Sequence, residues 1–207
     1  MTDLLIYQAR VAVAHPVTRF GGPLALNKGA AFDWPVCEEC GKPMQFQGQI
    51  LTRAESGEAW RLLLIFLCVG EEGCDTWSQD GGGNCVIKLP VRPNEHLQVV
   101  AQQAEPRPVM YGARLVQVAE EEYETARSEW ARRNRVSKRR VLGQLGGEPA
   151  WLQGEEQPIC ACGRKMRFVA QLEEGPEDAT AMNFGGGCAY LFDCDCEERK
   201  GALLWQQ

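Results

Sequence analysis

Histidine occurs only twice in this 207-residue chain, at His15 and His96, and serine only four times. Neither histidine lies in an HExxH pattern or beside a serine or cysteine nucleophile, so a Ser-His-Asp or Cys-His apparatus cannot be assembled from the sequence. No glycine-rich stretch runs from a strand into a helix with a following Lys-Ser/Thr, as phosphate binding requires. Long apolar runs are missing too: a membrane span takes roughly 20 residues, whereas the longest run, Leu62 to Val69, ends at Gly70, Glu71 and Glu72. Residues 1–14 carry Asp3, Gln8 and Arg10 and no basic segment ahead of an apolar one, so no secretory leader is expected. These absences predict a non-enzymatic, cytoplasmic protein whose thiols stay reduced.

Cysteine, by contrast, is abundant, with ten in the chain. Eight of them fall into a phrase that occurs twice. Pro35-Val-Cys37-Glu-Glu-Cys40-Gly41 leads to Met44, Phe46, Gln49 and Ile50; Pro158-Ile-Cys160-Ala-Cys162-Gly163 leads to Met166, Phe168, Gln171 and Leu172. Each copy is followed by an apolar segment and a second pair, Cys68 with Cys74 and Cys194 with Cys196. Two close pairs of thiolates arriving from separate turns supply the opposite edges of a tetrahedron, the arrangement a structural Zn²⁺ takes. Two zinc ions are therefore expected, one on Cys37, Cys40, Cys68 and Cys74, the other on Cys160, Cys162, Cys194 and Cys196. A closed set of four thiolates leaves no open position for substrate, so both ions would be structural. The second set is the tighter, because one residue separates its paired cysteines where knuckles usually have two to four. Redox chemistry at Cys37-Glu-Glu-Cys40 is disfavoured, since two glutamates between the thiols would raise their pKa values. Cys85 and Cys188 remain over and read as packing thiols.

Past each knuckle the apolar residues alternate, Met44, Phe46, Gly48 and Ile50 in one copy and Met166, Phe168, Ala170 and Leu172 in the other, which predicts matching half-buried strands. Trp60 to Cys68 is apolar on both parities after Arg61 and reads as a strand covered on both faces, with Cys188 to Phe192 as its counterpart. Gly21-Gly22 and Gly146-Gly147 echo each other upstream. Between the copies, Leu115, Ala119, Tyr123, Ala126 and Trp130 recur at helical spacing, with glutamates early and arginines late, predicting one helix over about 116–134. The expected fold is α+β and β-rich: a lobe over 1–100 holding the first zinc site, a helical connector over 101–143, and a lobe over 144–207 holding the second.

Charge is divided unevenly. Residues 1–100 carry 8 basic and 11 acidic side chains, 101–143 carry 9 and 6, and 144–207 carry 5 and 11. Zinc on eight thiolates would take the formal net charge of −6 to about −10. An acidic surface favours a basic protein partner over nucleic acid or anionic membrane, and the run from Arg132 to Arg140, with no interleaved aromatics, reads as a solvated helix end.

The order Gly-Gly, Pro-x-Cys, Cys-Gly, Met-x-Phe, Gln-aliphatic and Phe-x-Cys resembles the bacterial YwqG-like family and, in its knuckle pattern, the eukaryotic programmed cell death protein 2 family. The densest stretch runs from Leu142 through Trp151, Cys160, Met166, Gln171 and Phe192 to Trp205 and Gln206. The resemblance implies a duplicated β-rich α+β domain and, by analogy with the eukaryotic members, a chaperone for a ribosomal protein. Two further readings stand beside it: a cytoplasmic immunity protein that neutralises a bacterial toxin by direct binding, suggested by size, acidity and the missing catalytic set, and an enzyme with a site between the repeats.

Overall fold

The computed structural model describes every residue except 55, 71, 72 and 197–199, so Glu71 and Glu72 lie outside the described residues. Twelve strands and one α-helix are found among the described residues. The strands are β1 (Thr2–Gln8), β2 (Arg19–Gly22), β3 (Ala25–Asn27), β4 (Gln45–Arg53), β5 (Trp60–Leu67), β6 (Asn84–Val91), β7 (Leu97–Val99), β8 (Arg107–Val118), β9 (Val141–Leu145), β10 (Arg167–Glu173), β11 (Cys188–Asp193) and β12 (Lys200–Gln206). Ten of them close into an antiparallel barrel in the order β1-β8-β2-β4-β5-β6-β12-β11-β10-β9, and β3 pairs with β7 alongside.

The repeated phrase takes the same backbone twice. Phe20 pairs with Gly48 and Arg19 with Gln49 in the first copy; Leu145 pairs with Ala170 and Gln144 with Gln171 in the second. Both copies carry a β-bulge at the same place, between Phe46 and Gly48 and between Phe168 and Ala170. Gly21 and Gly22 adopt φ of 68°, and Gly146 and Gly147 of 69° and 74°, a left-handed pair that glycine accommodates without steric cost.

Barrel closure overturns the α+β expectation of two lobes on a helical connector. Residues 107–118 are a strand of the barrel, and the helix α1 covers only Tyr123–Asn134. Leu115 and Ala119 fit the helical spacing by coincidence: Val109, Tyr111 and Ala113 alternate toward the barrel core, and strand pairing with β1 continues to Val118. Glu122 starts the helix, its carboxylate accepting from the Glu124 and Thr125 N–H groups, and Arg135 ends it at φ 55°. The connector therefore contributes wall to the barrel. β1 lies against β8 and β9, and β8 lies against β1 and β2. Each copy thus gives five strands to the barrel, and the first strand of each completes the wall of the other.

Leu5, Phe20, Ile50, Leu63, Ile65, Tyr111, Leu172 and Leu191 fill the barrel interior. Outside the wall, α1 covers Leu4, Ile6 and Val141 through Tyr123, Ala126 and Trp130. The two cysteine knuckles cover the opposite wall, one over Trp34, Phe46 and Phe66, the other over Tyr190, Phe192 and Trp151.

Candidate metal centres

Each knuckle is a tight turn closed by its own backbone. The Cys37 N–H donates to the Lys42 carbonyl (2.9 Å) and the Gly41 N–H to the Cys37 carbonyl (2.9 Å); in the second copy Cys160 donates to Arg164 (2.8 Å) and Gly163 to Cys160 (2.7 Å). Gly41 and Gly163 turn the chain at φ 70° and 83°. Single bridges, Val36 to Pro43 and Ile159 to Lys165, seal the two turns. Partner thiols come from the ends of neighbouring strands, Cys68 directly after β5 and Cys194 directly after β11.

All eight predicted cysteines meet as two groups of four. Within each, the sulfurs lie inside 4.8 Å of one another. Cys40 Sγ is 3.6 Å from Cys68 Sγ, Cys160 is 3.5 Å from Cys196, and Cys162 is 3.7 Å from Cys194. A disulfide would place sulfurs about 2 Å apart, whereas a tetrahedral Zn–S bond of about 2.3 Å sets neighbouring sulfurs about 3.8 Å apart. The spacing matches shared coordination, and all ten cysteines are free. The single-residue spacer of the second set is no obstacle, because its members pair across the two turns. Either group could hold a metal ion.

Crowding four thiols sets their ionisation against one another. In the first group, burial raises the pKa values of Cys68 and Cys74. Burial also opposes ionisation of Cys37, yet the N–H groups of Cys40 and Glu39 prevail and hold its pKa below the usual thiol range. The intervening glutamates thus do not act as the sequence suggested; the Glu39 carboxylate accepts from the Asp75 N–H (2.5 Å) and ties the first turn to the loop bearing Cys74. In the second group, Arg164 donates from Nε to Cys162 Sγ (3.5 Å) and lowers that thiol to about 6. For Cys160 the Cys162 N–H favours the thiolate, but burial and the neighbouring sulfurs outweigh it and raise the thiol to about 12. A cation among the sulfurs would favour the thiolate form that crowding and burial oppose.

Cys85 and Cys188 stand outside both groups. Cys188 is buried, hydrogen-bonded with Gln171 and Tyr190, and raised to about 12 by desolvation. Cys85 is half-buried beneath the first knuckle.

A buried charge cluster beside the second group escaped sequence reading. Arg61 on β5 reaches Asp193 (2.5 Å) and Asp195 (2.8 Å), and Lys88 on β6 reaches Asp193 (3.4 Å). Lys88 Nζ also donates to the carbonyls of Cys194 (2.5 Å) and Cys196 (3.1 Å), fixing the turn that presents those sulfurs. Asp193 is only 1% exposed, and its register partner in the first copy is Leu67, a core residue. The lone polar residue of an apolar strand, Asp193 in Tyr-Leu-Phe-Asp, was the available signal.

Fold and site together define a closed, internally repeated barrel bearing two four-cysteine clusters. No family model matches the chain. Over 55 residues, 26% of the chain, it is 40% identical to Uncharacterized protein YpfL of Salmonella typhimurium, and it spans only 12% of that protein's length. No helix among the described residues is long and apolar enough to cross a membrane.

Proposed function

We propose that the chain is a non-enzymatic protein-binding module, stapled by two structural zinc ions and chaperone-like toward a basic client. The metal assignment rests on donor chemistry, since four soft thiolates at tetrahedral spacing suit Zn²⁺. Bound zinc would offset half of the charge of the four thiolates around it and lock the knuckles onto the barrel wall.

One observation carries the binding role. Val36 and Ile159 hold the same position in the two copies, are 47% and 55% exposed, and line one groove of about 680 Å³ between the knuckles. Phe32, Trp34 and Ile87 form its apolar floor, and exposed Asp33, Glu38 and Asp80 edge it, outnumbering the exposed Lys200 on the same rim. An apolar slot with acidic margins suits a segment that mixes apolar and basic residues. The resemblance of the knuckle pattern to the programmed cell death protein 2 family suggests a ribosomal protein as such a client.

Reversing Asp33, Glu38 and Asp80 to lysine is expected to weaken capture of a purified basic ribosomal protein. Reversing Arg139 and Arg140 to glutamate should leave it nearly unchanged. Light scattering of the refolding client reports both; the opposite ranking would point to an acidic ligand and refute this reading.

A further inference from the structure

The barrel has a second concavity, of about 620 Å³, remote in character from the knuckle groove. It lies where β4 ends, β5 begins and β10 begins, so it is a mouth of the barrel. Leu5, Ala113 and Leu145 reach it from the interior core, and Leu51, Trp60 and Leu115 form its sides. Leu115 is 51% exposed, an apolar surface left open to water.

In a chain of net charge −6, Arg53 and Arg167 are the charged residues that line this mouth among the described residues. Arg53 stacks over the Trp60 ring at 4.3 Å and donates to the Gly57 carbonyl (2.6 Å); it has no carboxylate partner among the described residues. Arg167 donates to the Arg53 carbonyl (3.1 Å), and its acidic neighbour among the described residues, Asp193 at 4.0 Å, already faces Arg61 and Lys88. Cationic charge is therefore in excess beside an apolar bowl whose volume falls within the range of small-molecule sites.

We propose that this mouth binds a small anionic amphiphile, such as a medium-chain carboxylate. Its apolar body would lie on Leu5, Ala113 and Leu115, and its carboxylate would take charge-assisted hydrogen bonds from Arg53 and Arg167. Guanidinium groups suit this task because they stay charged and can grip a carboxylate with two parallel N–H groups.

The test is isothermal titration of the full-length, metal-loaded protein with dodecanoate below its micelle concentration, beside dodecyltrimethylammonium of equal chain length. Saturable 1:1 binding of the anion alone is expected, weakened about tenfold by Arg53→Gln and by Arg167→Gln. Ala113→Trp, which fills the bowl, should abolish it, while circular dichroism and Arg139→Gln report fold and nonspecific charge. Absence of saturable binding, equal binding of the cation, or binding indifferent to all three mouth variants would each overturn the proposal. So would co-sedimentation with anionic vesicles without binding of monomeric dodecanoate, which would assign the surface to a bilayer.

Discussion

If both groups hold zinc as proposed, replacing Cys68 by serine is expected to lower bound zinc from about two equivalents per chain to about one, because a missing thiolate opens the tetrahedron. Native mass spectrometry reads this directly. Cys85→Ser is the control, since Cys85 lies outside both groups and its loss should leave the metal count unchanged. Unaltered metal content in Cys68→Ser and Cys37→Ser would remove the first site. The effect on folding should be large: a structural zinc contributes on the order of 10 kcal/mol of coupled folding free energy, comparable with the whole stability of a typical domain. It should also be global. Cys68 follows β5 directly, and β5 is barrel wall packed against both β4 and β6. Thermal unfolding of the variant should therefore move as one transition to lower temperature, with no surviving half.

Asp193→Ala should destabilise the protein by about 3–5 kcal/mol, the cost of removing one partner from a buried ion cluster. Arg61 and Lys88 are then left largely desolvated, with side chains only 13% and 10% exposed, and among the described residues Asp195 is the carboxylate that remains, paired with Arg61. A triple variant, Arg61→Met, Lys88→Met and Asp193→Leu, should recover most of that loss, because the first copy already places Leu67 at the equivalent position. Urea midpoints of the two variants measure both effects. A shift within about 0.5 kcal/mol for Asp193→Ala, the range of an ordinary surface change, would show that the cluster does not hold the barrel. The triple variant separates stability from site geometry: it removes the Lys88 contacts to the Cys194 and Cys196 carbonyls, so metal affinity at the second group should fall even as the fold recovers.

What the sequence made legible was local. Paired cysteines, the Gly-Gly turn and the Met-x-Phe alternation each leave a mark within a dozen residues, and the eight thiols converge as their spacing requires. Closure of the barrel leaves no such mark. Nothing within Thr2–Gln8 states that it pairs with a strand more than a hundred residues away, because that choice is made by unpaired N–H and C=O groups at the open edges of a sheet. β8 was misread for a related reason: Leu115, Ala119 and Tyr123 satisfy a period of 3.6 while Tyr111, Ala113 and Leu115 satisfy a period of two, and only the neighbouring strands decide between them. The charge cluster was hidden because Arg61, Lys88 and Asp193 lie on three strands far apart in sequence.

The exchange of first strands makes the two repeats mutually dependent. Severing the chain near residue 104, between β7 and β8, would produce two fragments that each lack the partner their own edges need. Neither should fold alone, yet together they retain every pairing of the intact barrel. The protein is thus built as a split pair held in one polypeptide, and its two halves, expressed separately and mixed, should reassemble.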